Sequence, residues 1–210
     1  MMNHRLFEII SVFITALGKF IFYDILNQRL IFILLMFAFW SSYIFYRVRH
    51  SPDILKIWGF RVDNFLNVLK RILPFGLLSI LACISIGSLQ NTINLHWHII
   101  PILILYPIFG TLQQFLLMAL VAGNLQDLNR FRFHSIIVTT SILFGFLHYP
   151  YWWLVFGTFL LALFYSYIYL KVRNLYVLGI FHGWLGAIFY YTVVDKDPFI
   201  EVFGPILTTI

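Results

Sequence analysis

Residues 139–153 have the sequence TTSILFGFLHYPYWW, in which a histidine ends an apolar helical pattern and a proline follows two residues later. No residue between Ser135 and Leu147 carries a charge, so we expect His148 to lie at membrane depth. An imidazole is costly to bury there without a partner, and ionisable residues within membranes mark functional sites by default. The segments 107–118 (PIFGTLQQFLLM) and 179–186 (GIFHGWLG) offer polar partners for it.

The composition is that of a membrane protein. Of the 210 residues, 61% are hydrophobic and only 10% are charged, against roughly 25% charged in soluble domains. The net charge of +6 does not predict nucleic-acid binding, because the basic residues are spread between apolar segments. The expected partner is membrane lipid. The one cysteine, Cys83, lies in an apolar run, which excludes both a disulfide framework and a thiolate metal site.

Apolar runs of about 20 residues are long enough to cross a hydrocarbon core about 30 Å thick. The sequence predicts an all-α polytopic transmembrane helical bundle of about seven spans (six to eight), forming a single transmembrane domain over residues 1–210. The segment 47–71 is expected to be a cytoplasmic amphipathic loop with Trp58 in the headgroup layer. Residues 97–192 are expected to form the functional core. The predicted spans are 7–24, 29–46, 72–89, 97–122, 135–150, 152–170 and 175–194.

The distribution of Lys and Arg predicts the orientation, because short cytoplasmic loops carry an excess of both residues. With segment 47–71 on the cytoplasmic side, eleven of the 14 basic residues fall on that side. The exceptions are Lys19, Arg29 and Lys196. We therefore expect an integral protein of the inner (plasma) membrane with a cytoplasmic N-terminus.

Polar residues on three different spans are predicted to reach a similar depth. Counted at about 1.5 Å per residue from the inner loops, Gln113 and Gln114 lie roughly 15 Å deep. The same count gives roughly 21 Å for His148 and roughly 12 Å for His182. These residues are therefore expected to face one cavity formed by the fourth, fifth and seventh spans.

The spacing Phe144-x-x-x-His148, followed one span later by His182 in GIFHGWLG, resembles the second and third motifs of the CPBP superfamily. This superfamily groups CAAX-processing proteases with bacteriocin-processing and self-immunity proteins, which are intramembrane peptidases of the glutamate type. Residues 54–78 also resemble the segment ahead of the family's third span, and the order of spans agrees over roughly residues 55–192. The resemblance implies cleavage of a membrane-associated protein or peptide.

Two family motifs are altered in this chain. The first motif is EExxxR, and the corresponding residues are Gln113, Gln114 and, in place of the arginine, Met118. The third motif ends in Asn or Asp, where this chain has Gly186. By the resemblance, Gln113 takes the position of the catalytic base, His148 that of its partner, and His182 that of a residue on the oxyanion side.

A glutamine cannot replace the family's glutamate as a base. Its amide can hold a water molecule, but it is not basic near neutral pH. His148 could act as the base alone, since an unperturbed imidazole titrates near neutrality. The resemblance therefore leaves open an active endopeptidase and a weak or inactive one.

The alternative is a non-enzymatic membrane scaffold or binding protein that uses the same cavity for a lipid, a pigment or a partner helix. The two glutamines could also simply join helices through hydrogen bonds.

No cofactor and no metal are predicted. His148 and His182 lack a third ligand, because Asp127, the nearest carboxylate on the inner side, is expected in a surface loop. His96 and His98 are expected at the opposite membrane face, and a spacing of two does not place them on one face of a helix.

The acidic residues near the C-terminal end are expected to form a solvated outer tail: Asp195, Asp197 and Glu201.

Overall fold

The computed structural model describes residues 2–207, which contain helices and no strands. Residues 1 and 208–210, the two ends of the predicted domain 1–210, lie outside the described residues. Three helices continue into π-helical segments. The elements are α1 (Met2–Gly18) with π-helical Lys19–Ile25, α2 (Arg29–His50), α3 (Ile54–Trp58), α4 (Phe65–Gln90), α5 (Ile99–Gln114) with π-helical Phe115–Gly123, α6 (Asn124–Asp127), α7 (Phe133–Phe146), α8 (Trp152–Val172), α9 (Leu175–Phe189) with π-helical Tyr190–Val194, and α10 (Pro198–Leu207).

The predicted fold class, a helical membrane bundle, is confirmed. Five helical stretches within residues 2–207 are long and apolar enough to cross a membrane: Arg29–His50, Phe65–Gln90, Ile99–Asp127, Trp152–Val172 and Leu175–Val194. The first and fifth predicted spans are also helical, as α1 with its π-helical extension and as α7. Helix α7 has 14 residues, or about 21 Å, which is shorter than the hydrocarbon core. His148 lies two residues after the end of this short helix.

The centre of the bundle is the π-helical segment Phe115–Gly123, all nine residues of which are buried. Its sequence, FLLMALVAG, is apolar on every side, which is typical of a helix surrounded by protein. The two glutamines precede it directly. The buried apolar segment therefore starts directly after the two glutamines in the chain.

Segment 47–71 is divided among the end of α2, the short helix α3 and the start of α4. Helix α2 continues to His50, and α3 has only five residues before Gly59 ends it in a left-handed conformation. Trp58 is 4% exposed, and its ring lies 5.0 Å from that of Phe115. The prediction that Trp58 lies in the headgroup layer is wrong, because the turn at Gly59 directs this ring into the core. The cytoplasmic location of the segment stays a prediction.

Helices α5 and α9 form the most extensive contact between any two elements. Glycines on both helices make this close approach possible. A Cβ atom on Gly110 would lie 2.7 Å from the carbonyl oxygen of Gly179, and one on Gly183 would lie 2.6 Å from that of Tyr106. The contact sets His182 of α9 directly against the glutamine pair of α5.

Charged residues gather at the two ends of the bundle. At one end, Arg173 and Arg5 both pair with Asp127, at 2.5 and 3.6 Å. Near that end, buried Glu8 accepts from Arg47 and from Asn124, which joins α1 to α2 and α6. Three further ion pairs form at the other end: Lys19–Asp24, Arg29–Glu201 and Lys196–Glu201. The two groups match the two sides expected from the sequence, and which side is cytoplasmic stays a prediction.

The α5–α9 contact predicts that alanine at two glycine positions of α9 changes the thermal stability by different amounts. Gly183→Ala forces the new methyl group into the backbone of α5 and should cost about 1–3 kcal/mol by overpacking. Gly186→Ala is the matched control, because its Cβ would lie 3.9 Å from the nearest atom, Cδ2 of Tyr106. Thermal unfolding of the purified variants in detergent should show a lower Tm for Gly183→Ala alone. Equal Tm values would contradict the close helix contact.

Candidate functional site

A cavity of about 380 Å³ lies within the helical bundle. Its walls include Gln113, His148 and His182, together with Phe144 and Gly186. Five of the seven residues predicted for the site therefore line one cavity, and Gln114 and Met118 do not. The remaining lining is mostly apolar, which is typical of sites that bind small or apolar molecules.

His182 uses both ring nitrogens inside the protein. Its Nε2 lies 2.8 Å from Gln113 Oε1, and its Nδ1 lies 3.2 Å from Gln114 Nε2. Since an amide oxygen accepts and an amide nitrogen donates, this network assigns the proton of His182 to Nε2. His182 is thus neutral, and its one N–H is donated to Gln113.

His148 has the opposite tautomer. Its Nδ1 lies 2.8 Å from the carbonyl oxygen of Phe144, one helical turn earlier. A carbonyl can only accept, so Nδ1 carries a proton, and in the neutral ring Nε2 then keeps its lone pair. His148 therefore brings to the cavity a nitrogen that can accept a proton.

Phe144 holds the two histidines near each other. Its ring centroid lies 4.8 Å from that of His148 and 5.4 Å from that of His182. The distance between the centroids of the two imidazole rings is therefore at most the sum of these two distances. Phe144 is 3% exposed, so the phenyl ring is part of the packed wall of the cavity.

The other two altered motif positions lie outside the cavity wall. Met118 is fully buried in the central segment, and its sulfur accepts from Ser166 at 3.6 Å. Gln114 is fully buried behind His182, and its Oε1 has no hydrogen-bond partner among the described residues. Met118, at the position of the family's arginine, is therefore part of the apolar core. Gln114 donates a hydrogen bond to His182 from the side that faces away from the cavity.

The structure adds cavity residues that the sequence analysis did not assign. Lys19 and Asp24, in the π-helical extension of α1, both line the cavity and form a 2.6 Å ion pair. Lys19 also donates to the carbonyl oxygen of Tyr149, the residue after His148. The available signal was Lys19 itself, which interrupts the first apolar run. Val202 and Phe203 of α10 complete the wall.

The packing of Phe144 predicts a large loss of stability on truncation. Phe144→Ala should cost about 3–5 kcal/mol, because it leaves a void between the two histidine rings. Phe146→Ala is the control two residues later on α7, where the side chain is 60% exposed. Thermal unfolding should separate the two variants clearly. Similar losses for both would mean that Phe144 does not pack at this wall.

Residues 95–188 match a family model described as type II CAAX prenyl endopeptidase Rce1-like. The matched range contains Gln113, Gln114, His148 and His182. This finding confirms, for that range, the resemblance to the CPBP superfamily. No curated protein matches the chain, and no solved structure matches it.

Proposed function

We propose that this CAAX-protease-like integral membrane protein binds the apolar end of a membrane-associated protein or peptide in its cavity and hydrolyses it slowly, with His148 as the general base. The observation that carries the proposal is the tautomer of His148. Because Nδ1–H donates to Phe144, the lone pair of Nε2 is available at the cavity wall. We further propose that the protein lies in the plasma membrane with its N-terminus in the cytoplasm.

The proposed reaction needs one water molecule and one peptide bond. Nε2 of His148 takes a proton from the water as its oxygen attacks the scissile carbonyl carbon. The tetrahedral intermediate then collapses, and the imidazolium returns the proton to the departing amine nitrogen. Gln113 accepts from His182 with its Oε1, so its amide N–H groups remain to orient the water or the developing oxyanion.

Two features make this a slow enzyme. Gln113 supplies no carboxylate, and general-base assistance contributes about 10²–10⁴-fold. Gly186 has no side chain to donate to an oxyanion, and the loss of one such donor costs about 10²–10³-fold. We therefore expect a rate well below that of a family member with the complete motifs.

A non-enzymatic binding protein is the second candidate. The observation that favours it is the hydrogen bond from His182 Nε2 to Gln113. This bond occupies the only N–H of His182, so no histidine donor is free for an oxyanion. The cavity would then hold the apolar end of a partner, or a lipid, without cleaving it.

Restoring the first and third motifs separates the two candidates. Gln113→Glu places a carboxylate where Gln113 already accepts from His182, and should raise cleavage of a farnesylated, fluorescence-quenched CAAX peptide by about 10²-fold or more. His148→Ala should abolish cleavage in both backgrounds. His134→Ala is the matched control, since this exposed histidine lies on α7 outside the cavity wall.

The assay uses the full-length protein in proteoliposomes, with binding of the same peptide measured by fluorescence anisotropy. Cleavage that depends on His148 supports the peptidase. Binding without cleavage, even in the combined Gln113→Glu, Gly186→Asn variant, would overturn the peptidase in favour of the binding protein. Absence of both binding and cleavage would overturn the peptidase and the binding of a partner's apolar end, and would leave a lipid as the occupant.

A further inference from the structure

Two histidines and an aspartate outside the cavity wall come together between α5 and α10. Asp197 Oδ2 lies 2.5 Å from His98 Nδ1 and 3.3 Å from His96 Nε2. One donor atom from each of the three residues lies within 4.8 Å of the others. All three are partly buried, with side-chain exposures of 31%, 17% and 15% for His96, His98 and Asp197.

The prediction that His96 and His98 do not share one face of a helix has no bearing here, because neither residue lies in a helix. Helix α5 begins only at Ile99, so both histidines belong to the turn before it. Helical periodicity does not apply to a turn, and the two rings lie 4.7 Å apart. Asp197 is likewise not part of a solvated tail, because it lies at the start of α10 against these rings.

We propose that His96, His98 and Asp197 form a zinc site that ties the start of α5 to the start of α10. Two imidazoles and one carboxylate are the protein ligands of many zinc sites that keep an open fourth position. Ligand atoms about 2.1 Å from a tetrahedral Zn²⁺ lie about 3.4 Å from each other, so the three donors need to move by about 1 Å each at most.

The surroundings of Asp197 orient its carboxylate for this role. Its other oxygen, Oδ1, accepts from Tyr191 Oη at 2.7 Å and from the backbone N–H of Phe199 at 2.9 Å. These bonds leave Oδ2 turned toward the histidines. Hydrogen bonds of this kind to metal ligands fix their geometry and raise metal affinity.

Both histidines bind Zn²⁺ after a change of tautomer, which frees the lone pair of the ligating nitrogen. His96 binds through Nε2 if its proton moves to Nδ1, which gives up only a long 3.4 Å contact from the backbone N–H of His98. His98 binds through Nδ1 once the proton that it donates to Asp197 moves to Nε2, and its ring is fixed by stacking on Phe199 at 4.7 Å. Imidazole nitrogen is a preferred ligand of Zn²⁺, whereas Mg²⁺ and Ca²⁺ prefer oxygen.

Zinc at this position would stabilise one wall of the cavity. Asp197 directly precedes α10, and Val202 and Phe203 of that helix line the cavity. A bound ion would therefore hold α10 against the bundle. This inference concerns residues outside the catalytic proposal and stands or falls independently of it.

Zinc binding is measured on the tag-free, full-length protein in neutral detergent, by competition with a chromophoric zinc indicator at pH 7.4. We expect one Zn²⁺ per chain and no competition from Mg²⁺. Asp197→Asn should weaken binding about 100-fold, and Tyr191→Phe, which keeps all three ligands, about 10-fold. Asp195→Asn is the matched control, since this exposed carboxylate lies two residues away.

Hydrogen exchange provides a second measurement on the same samples. Added Zn²⁺ should slow amide exchange in residues 198–204 of the unmodified protein and of Asp195→Asn, but not of Asp197→Asn. No stoichiometric binding, or equal binding by Asp197→Asn and Asp195→Asn, would overturn the proposal. Binding without slower exchange in residues 198–204 would overturn the link between α5 and α10.

Discussion

The close approach of α5 and α9 is the constraint on which the site depends. Gly110 of one helix and Gly183 of the other leave no room for a Cβ atom, so the two backbones meet directly. At that separation His182 reaches both Gln113 and Gln114 through its two ring nitrogens. A wider spacing would leave buried polar groups unpaired, at a cost of about 1–3 kcal/mol each.

The glutamines and histidines of the site are neutral, and the charges at the cavity wall are those of the Lys19–Asp24 ion pair. Where the family has glutamates, this chain has amides. Each histidine donates its single N–H to an oxygen, His148 to the carbonyl oxygen of Phe144 and His182 to Oε1 of Gln113. Such an arrangement avoids the cost of burying a charge in an apolar surrounding. It also removes the strong base that a carboxylate next to a histidine would provide. The same substitutions thus favour stability in the membrane and lower the expected catalytic power.

Much of the fold could be predicted from the sequence, because the apolar runs are long and the basic residues lie at or near the ends of the helices. Counting depth along the predicted spans placed Gln113, His148 and His182 together, and all three line one cavity because Gln113 and His182 lie on helices and His148 lies two residues past the end of α7. Counting could not place Trp58, whose direction depends on the turn at Gly59, or the pair His96 and His98, which precedes a helix. The contribution of Lys19 depends on its contact with the carbonyl oxygen of Tyr149, which is distant in the sequence, so no local pattern encodes it.

The central claim is that two neutral histidines with opposite tautomers share one cavity, and ¹⁵N NMR of histidine-labelled protein in lipid bilayers tests it most directly. His148→Gln and His182→Gln identify the two signals among the seven histidines. At neutral pH we expect the proton of His148 on Nδ1 and that of His182 on Nε2. A charged imidazole at either position, or a proton on Nε2 of His148, would contradict the account.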